Sequence, residues 1–183
     1  MIDLVQTIAQ VDTEPDLHAS RLLVLISVFS NAEHNNAVDG LTKLAKLDFL
    51  LRYPVMLERA LVIKGHSTRD VMIMDHERLS VESQMVRYRF GPWDHRYREF
   101  LNILVGKGLV SVKVEGRKVM IGITNRGLDL AAELSANDEF KDYARRSLLL
   151  KRHFNIKGTN LMQFIYKTFP EIISLRSNER IPT

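Results

Sequence analysis

Six histidines are the first residues to test for chemistry: His18, His34, His66, His76, His95 and His153. None stands at the spacing that puts two imidazoles and a carboxylate on one helix face, as H-E-x-x-H does. The densest titratable group is "MDHER", which sets Asp75, His76 and Glu77 side by side. Neighbours in a helix do not share a face, so this group reads as solvated surface. Asp48 lies close to an apolar helical stripe and reads as a paired structural carboxylate rather than a catalytic one. No P-loop, G-x-G-x-x-G or G-x-S-x-G is present. No D/E-x-K strand pattern points to a metal-dependent nuclease. With no cysteine, disulfides, zinc–thiolate sites and thiol nucleophiles are excluded. The expectation is a protein that is not an enzyme and holds no metal or cofactor.

What the chain does offer is organised positive charge. The net charge of +4 over 183 residues is unevenly distributed. Residues 1–83 carry 8 Lys and Arg against 12 Asp and Glu, residues 84–126 carry 9 against 3, residues 127–139 carry four acids and no base, and residues 140–183 carry 9 against 3. Two basic blocks are what a phosphate-rich or acidic partner requires. Within the first block, Arg87, Arg89, Arg96 and Arg98 follow one another closely, and Lys113, Arg117 and Lys118 come soon after.

These cations have to be positioned by local structure. Pro15 and Asp16 open a helix over about 16–33, whose run "LLVLISVFS" is apolar nearly all round and needs cover on more than one side, from a deep core or a partner. Asn35, Asn36, Asp39 and Gly40 interrupt it. A second helix over 41–51 stops before Pro54, which itself opens a third over 55–63. A loop follows, and then a helix over 77–89, although 87–90 also reads as extended. After Gly91-Pro92, Asp94 is placed to cap a helix to Lys107. Tyr97, Phe100, Leu101 and Leu104 line its inner face, leaving His95, Arg96, Arg98, Glu99 and Asn102 outward. Trp93 and Tyr97 read as core plugs more readily than as base-stacking platforms. Gly106-Lys107-Gly108 ends the helix.

Val110, Val112 and Val114, then Val119, Ile121 and Ile123, alternate in period two around a Glu115-Gly116 turn, predicting two half-buried strands. Thr124 caps a helix to Leu134. Further helices are expected over 138–154 and 159–167. The fold class is mostly α with a small β-hairpin wing: a winged helix-turn-helix at 76–135, preceded by a helical segment at 1–75 for partner contact or dimerisation. Helices at 136–183 pack on it. The helices over 77–89 and 94–107 would be the pair before the wing.

A helix of this diameter fits the major groove, and outward Arg can reach base edges or phosphates. Arg87, Arg89, Arg96, Arg98, Lys113, Arg117 and Lys118 are the candidate DNA-binding residues. Glu99 on the same helix face and Glu115 at the tip of the wing oppose that role. No basic leader precedes the first helix, and no run reaches the roughly 20 apolar residues a membrane span needs, so a cytoplasmic protein is expected.

Three segments carry a family resemblance: "GLTKLAKLDFLLRYP", "RYRFGPWDHRYREFLNILVGKGLV" and "IKGTNLMQFIYKTFPEI". Through these loose patterns the chain resembles the small middle subunits of Lamassu-type defence systems. Those are ABC-three component systems built around an SMC/Rad50-like ABC ATPase. The resemblance implies a winged-helix accessory subunit without catalytic residues. It would sit on the ATPase, help it sense DNA, and restrain an effector nuclease subunit in antiviral or anti-plasmid defence. The alternatives are a free-standing winged-helix transcriptional regulator, binding DNA as a homodimer, and a structural adaptor that ignores DNA.

Overall fold

A computed structural model describes residues 14–30, 37–79, 84–89 and 91–182. Asn35, Asn36, His34, Phe90, the end of one expected helix at 31–33 and the middle of another at 80–83 lie outside the described residues.

Helix α1 (Pro15–Phe29) has Pro at its first position and Asp16 in its first turn. Leu22, Leu23, Val24, Leu25 and Ile26 are each at most 1% exposed. The cover comes from this chain itself, since α1 packs against α5, α6, α7 and β5, introduced below. Burying each of these side chains contributes roughly 1.5–3 kcal/mol, which explains a helix apolar on every side. Strand β1 (Val38–Asp39) leads into α2 (Gly40–Arg52), and α3 (Pro54–Ile63) follows across Tyr53. The proline at position 54 ends one helix and starts the next, as expected.

The following stretch departs from expectation. A single turn at Arg69–Val71 precedes a short α4 (Asp75–Leu79), and residues 86–88, expected in the same helix with 87–90 also reading as extended, form strand β2 (Val86–Tyr88). It pairs antiparallel with β3 (Gly91–Trp93). Backbone donors that a helix would use internally have distant partners. Met85 N donates to the Tyr53 hydroxyl at 2.9 Å and Arg87 N donates to the Glu179 carbonyl at 2.8 Å. Tertiary pairing overrides local propensity here.

Arg146, 1% exposed, fixes the excursion before that hairpin. It donates to the carbonyls of Val71 and Met72 at 2.9 Å each and to both carboxylate oxygens of Glu77 at 2.6 and 2.7 Å. Glu77 is therefore an anchored carboxylate, not the solvated one its sequence context suggests. Burial pushes its pKa up, but hydrogen bonds from Arg146 and from Met74 N outweigh that and hold it below the usual range.

Helix α5 (Tyr97–Gly106) precedes the hairpin β4 (Val110–Glu115) and β5 (Lys118–Ile123). Strand β1 pairs with the other edge of β5, so the sheet order is β1-β5-β4, all antiparallel, with Val38 opposite Ile121 and Val112 opposite Ile121 on the other side. The expected half-buried alternation holds for β5, whose Ile121 and Ile123 are buried. It fails on β4: Val110 is buried, but Val112 and Val114 are 41% and 72% exposed. The outer half of the hairpin extends past the core that would cover it.

Thr124 caps α6 (Asn125–Ala136) by accepting from Gly127 N at 3.0 Å. Helices α7 (Lys141–Phe154), α8 (Gly158–Thr168) and α9 (Pro170–Ser174) complete the chain. One apolar cluster draws on most of these parts, from Ala19 on α1 to Ile181, though α4 and β2 add no residue to it. The protein is thus mostly helical with a small antiparallel β wing, and no described helix is long and apolar enough to cross a membrane.

The α6 start touches the hairpin backbone. A Cβ on Gly127 would lie 2.0 Å from the Leu109 carbonyl oxygen, while one on Gly106 meets nothing within 4 Å. Gly127→Ala should cost roughly 1–3 kcal/mol, seen as a lower Tm in thermal unfolding. Gly106→Ala should leave Tm unchanged or raise it.

Candidate nucleic-acid interface

The helix before the wing is set in place by a buried network of charge. Asp48 on α2 is wholly buried and receives hydrogen bonds from Arg21 Nε of α1 at 3.0 Å, Arg52 Nε at 2.8 Å and the Tyr97 hydroxyl of α5 at 2.8 Å. Arg52 also donates to Asp94 at 2.8 Å, and Arg21 Nη1 lies 2.8 Å from His18 Nδ1. Burial alone would push the Asp48 carboxyl upward, but the Arg21 and Arg52 charges and the Arg52 and Tyr97 hydrogen bonds hold it below the usual carboxylate range. Asp48 is a structural carboxylate, as its sequence context predicts. Trp93 stands at 73° to the Tyr97 ring with centroids 5.3 Å apart. Both belong to the core, Tyr97 fully and Trp93 in part.

Asp94 directs α5 without being its N-cap. Its side chain accepts from Arg96 N at 3.0 Å, and from Arg96 Nε and Nη2 at 3.1 and 3.0 Å. Burial opposes ionisation of Asp94, yet the Arg96 and Arg52 partners hold it charged far below the usual range. Arg96, expected to face outward, is consequently half-buried and clasped by Asp94, and its guanidinium stacks 5.3 Å from the Phe100 ring centroid. Arg98, Glu99, Asn102 and His95 are exposed as expected.

The seven candidate cations fall on three elements. Arg87 is on β2 and Arg89 is in the turn that follows it, where Arg89 is exposed and its guanidinium lies 5.9 Å from the Tyr88 ring centroid. Arg96 and Arg98 are at the start of α5, adjoining β2 through the Tyr88–His95 ring contact at 5.1 Å. Lys113, Arg117 and Lys118 are exposed on the wing, and Lys118 pairs with Asp39 at 3.3 Å. An exposed pair of that kind contributes about 0–1 kcal/mol and leaves Lys118 available to another anion.

Two further lysines join this chemistry, and neither has a local sequence signature. Lys43 on α2 donates to Asn155 Oδ1 at 3.0 Å. Its pKa is lowered by burial, then by the Lys151 charge, against the opposing pull of Asp39. Lys157 precedes α8 and is exposed. A groove of about 600 Å3 brings both together with Arg117 and Lys118.

Lys46, one turn further along α2, is wholly buried and donates to the Pro92 carbonyl at 3.4 Å. Burial lowers its pKa to about 8. Gly91, at φ +97°, lies against it; a Cβ there would sit 3.1 Å from the Tyr166 ring and 3.6 Å from the Lys46 amine.

Among the described residues, no three His, Cys, Asp or Glu converge as metal ligands. His66 and His153 stack with centroids 4.1 Å apart. Burial and then the His66, Arg152 and Lys64 charges lower the pKa of His153. Comparison with known protein families, curated proteins and solved structures finds no match to the chain.

Two outcomes follow for stability. Arg96→Glu should lose about 1–3 kcal/mol by leaving Asp94 beside a second carboxylate, while Arg98→Glu should stay within about 0.5 kcal/mol of the wild type; denaturant unfolding measures both. Lys46 binds its proton less tightly folded than unfolded. Stability should therefore rise as pH is raised from about 8 toward 10.5. Lys46→Met should be more stable at pH 7 and should lose that alkaline rise.

Proposed function

We propose that the chain is a non-catalytic accessory subunit of an SMC-like ATPase complex in bacterial antiviral or anti-plasmid defence. It would link the ATPase, DNA and an effector nuclease through a winged helix-turn-helix at its centre. The observation that carries this reading is the order of the small sheet. A helix, β1, a helix, then, after the excursion, α5, β4 and β5, with β1 against the far edge of β5, supports a winged-helix reading. On this reading α2 and α5 are the helix-turn-helix pair, separated by a long excursion and joined by Asp48 and Arg52 on one side and Asp94 and Tyr97 on the other. The pair is not 77–89 with 94–107.

Exposed Arg98 on α5 and Lys113, Arg117 and Lys118 on the wing then face the duplex. Each phosphate neutralised adds a salt-dependent, sequence-blind increment of affinity. Support for a protein partner comes from the excursion, where Val62, Ile63, Met72, Met74 and Leu79 are between 48% and 84% exposed. A concentration of exposed apolar side chains of this kind marks interaction surfaces.

Tagged protein purified from its native host at moderate salt should bring with it a large coiled-coil ATPase in stoichiometric amount. Recovery of a bare dimer, at twice the 21.1 kDa chain mass, would overturn the accessory-subunit reading. It would favour a homodimeric regulator, which in turn should discriminate strongly between its operator and random DNA.

A further inference from the structure

The groove at the root of the wing holds more positive charge than the fold neutralises. Its walls come from three separate places: the first turn of α2 (Gly40, Thr42 and Lys43), the wing residues Arg117 and Lys118, and the first turn of α8 (Lys157, Gly158 and Thr159). Four cations face one acid, Asp39, which already pairs with Lys118. Lys43 is only 9% exposed, and its charge is opposed by burial and by Lys151, outside the groove, and supported by Asp39.

The two helix starts adjoin, since a Cβ on Gly158 would lie 3.4 Å from the Lys43 Cβ and 3.7 Å from its amide nitrogen. Neither start is capped by a side chain, and neither has an acid in its first turn. Asp39 stands at the N-cap of α2 and offsets that dipole in part, whereas the positive end of the α8 dipole adds to the field of the lysines.

We propose that this groove seats a backbone phosphate of DNA lying along the wing, with Lys43, Lys118, Lys157 and the Thr159 hydroxyl as its ligands. The inference rests on the DNA-contacting reading above and extends it to Lys157 and Thr159, which lie outside the helix-turn-helix and wing. The occupant is a polyanion rather than a lone carboxylate because the charge is spread over three elements and continues onto Arg117 and Lys113 of the exposed wing. One phosphodiester sits among the groove's cations and its neighbours in the strand meet those outer cations.

The test compares two exposed lysines of the same helix. Lys157 stands before α8 and Lys167 in its last turn; each Lys→Glu change removes the same charge from the molecule. Affinity of the full-length protein for a fluorescent random-sequence duplex is measured by anisotropy across a salt series. Lys157→Glu should weaken binding at least about tenfold and lower the slope of log K against log salt by about 0.9, the loss of one phosphate contact. Lys167→Glu should do neither. Thr159→Glu is a second probe, because an acid in the first turn favours the helix while repelling a phosphate, so weakened binding with an unchanged or raised Tm cannot come from misfolding. Equal effects of Lys157→Glu and Lys167→Glu, or tight binding retained by both Lys157→Glu and Thr159→Glu, would overturn the groove site and leave DNA contact elsewhere on the wing intact. No binding by the wild type at low salt would overturn both.

Discussion

Everything near the wing depends on one buried carboxylate. Asp48 is sealed from water, and an isolated charge in that position would cost several kcal/mol in lost hydration. The cost is offset only when Arg21 of α1, Arg52 of α2 and Tyr97 of α5 all reach it together. Three helices are thereby held to one register, because a slip in any of them leaves a charge unpaired. The neighbouring Asp94 extends the constraint to the first turn of α5 through Arg52 and Arg96. Apolar packing alone tolerates small shifts between helices, and a network of directed hydrogen bonds does not.

Arg146 plays the corresponding part on the other side of the molecule. Its guanidinium spends four hydrogen bonds on a segment with few regular backbone bonds of its own. Met72, held at φ 47°, is one of the residues it grips, and a non-glycine residue in that conformation needs such support. The excursion can thus be irregular and yet present apolar side chains at fixed positions. The basic wing and the apolar excursion are carried by different anchors, so substitutions at one surface need not disturb the other.

The sequence made the helices legible where their period, prolines and caps were local: α1, α2, α3, α6 and α8 lie close to where Pro15, Pro54, Thr124 and the apolar spacing put them. The β4–β5 hairpin was legible from its valine and isoleucine alternation and the Glu115-Gly116 turn. What remained hidden was set by distant partners. The hairpin β2–β3 exists because Tyr53, Asn178 and Glu179 claim the backbone of 85–87, and nothing within that segment announces them. Strand β1 is two residues long and takes its meaning from β5. The pairing of Arg146 with Glu77 spans 69 positions, and the groove collects Lys43, Lys118 and Lys157 from three regions. Arg96 departs from its helical period for a related reason. Helical period placed it outward, but a neighbouring aspartate bent it back.

The Tyr53 hydroxyl accepts from Met85 N and donates to the carbonyl of Ile181, 128 residues away. Val86 also bridges to Arg180. During synthesis on the ribosome, the partners of Asp48 all emerge by Tyr97, so the central helices can settle early. The β2–β3 segment must wait for the chain near residue 180 before its backbone is satisfied, and contacts of such long separation form slowly. For that interval Met85 and the strand beside it are exposed on a body otherwise able to fold, which makes this the segment where a chaperone or an early-binding partner would meet the nascent protein.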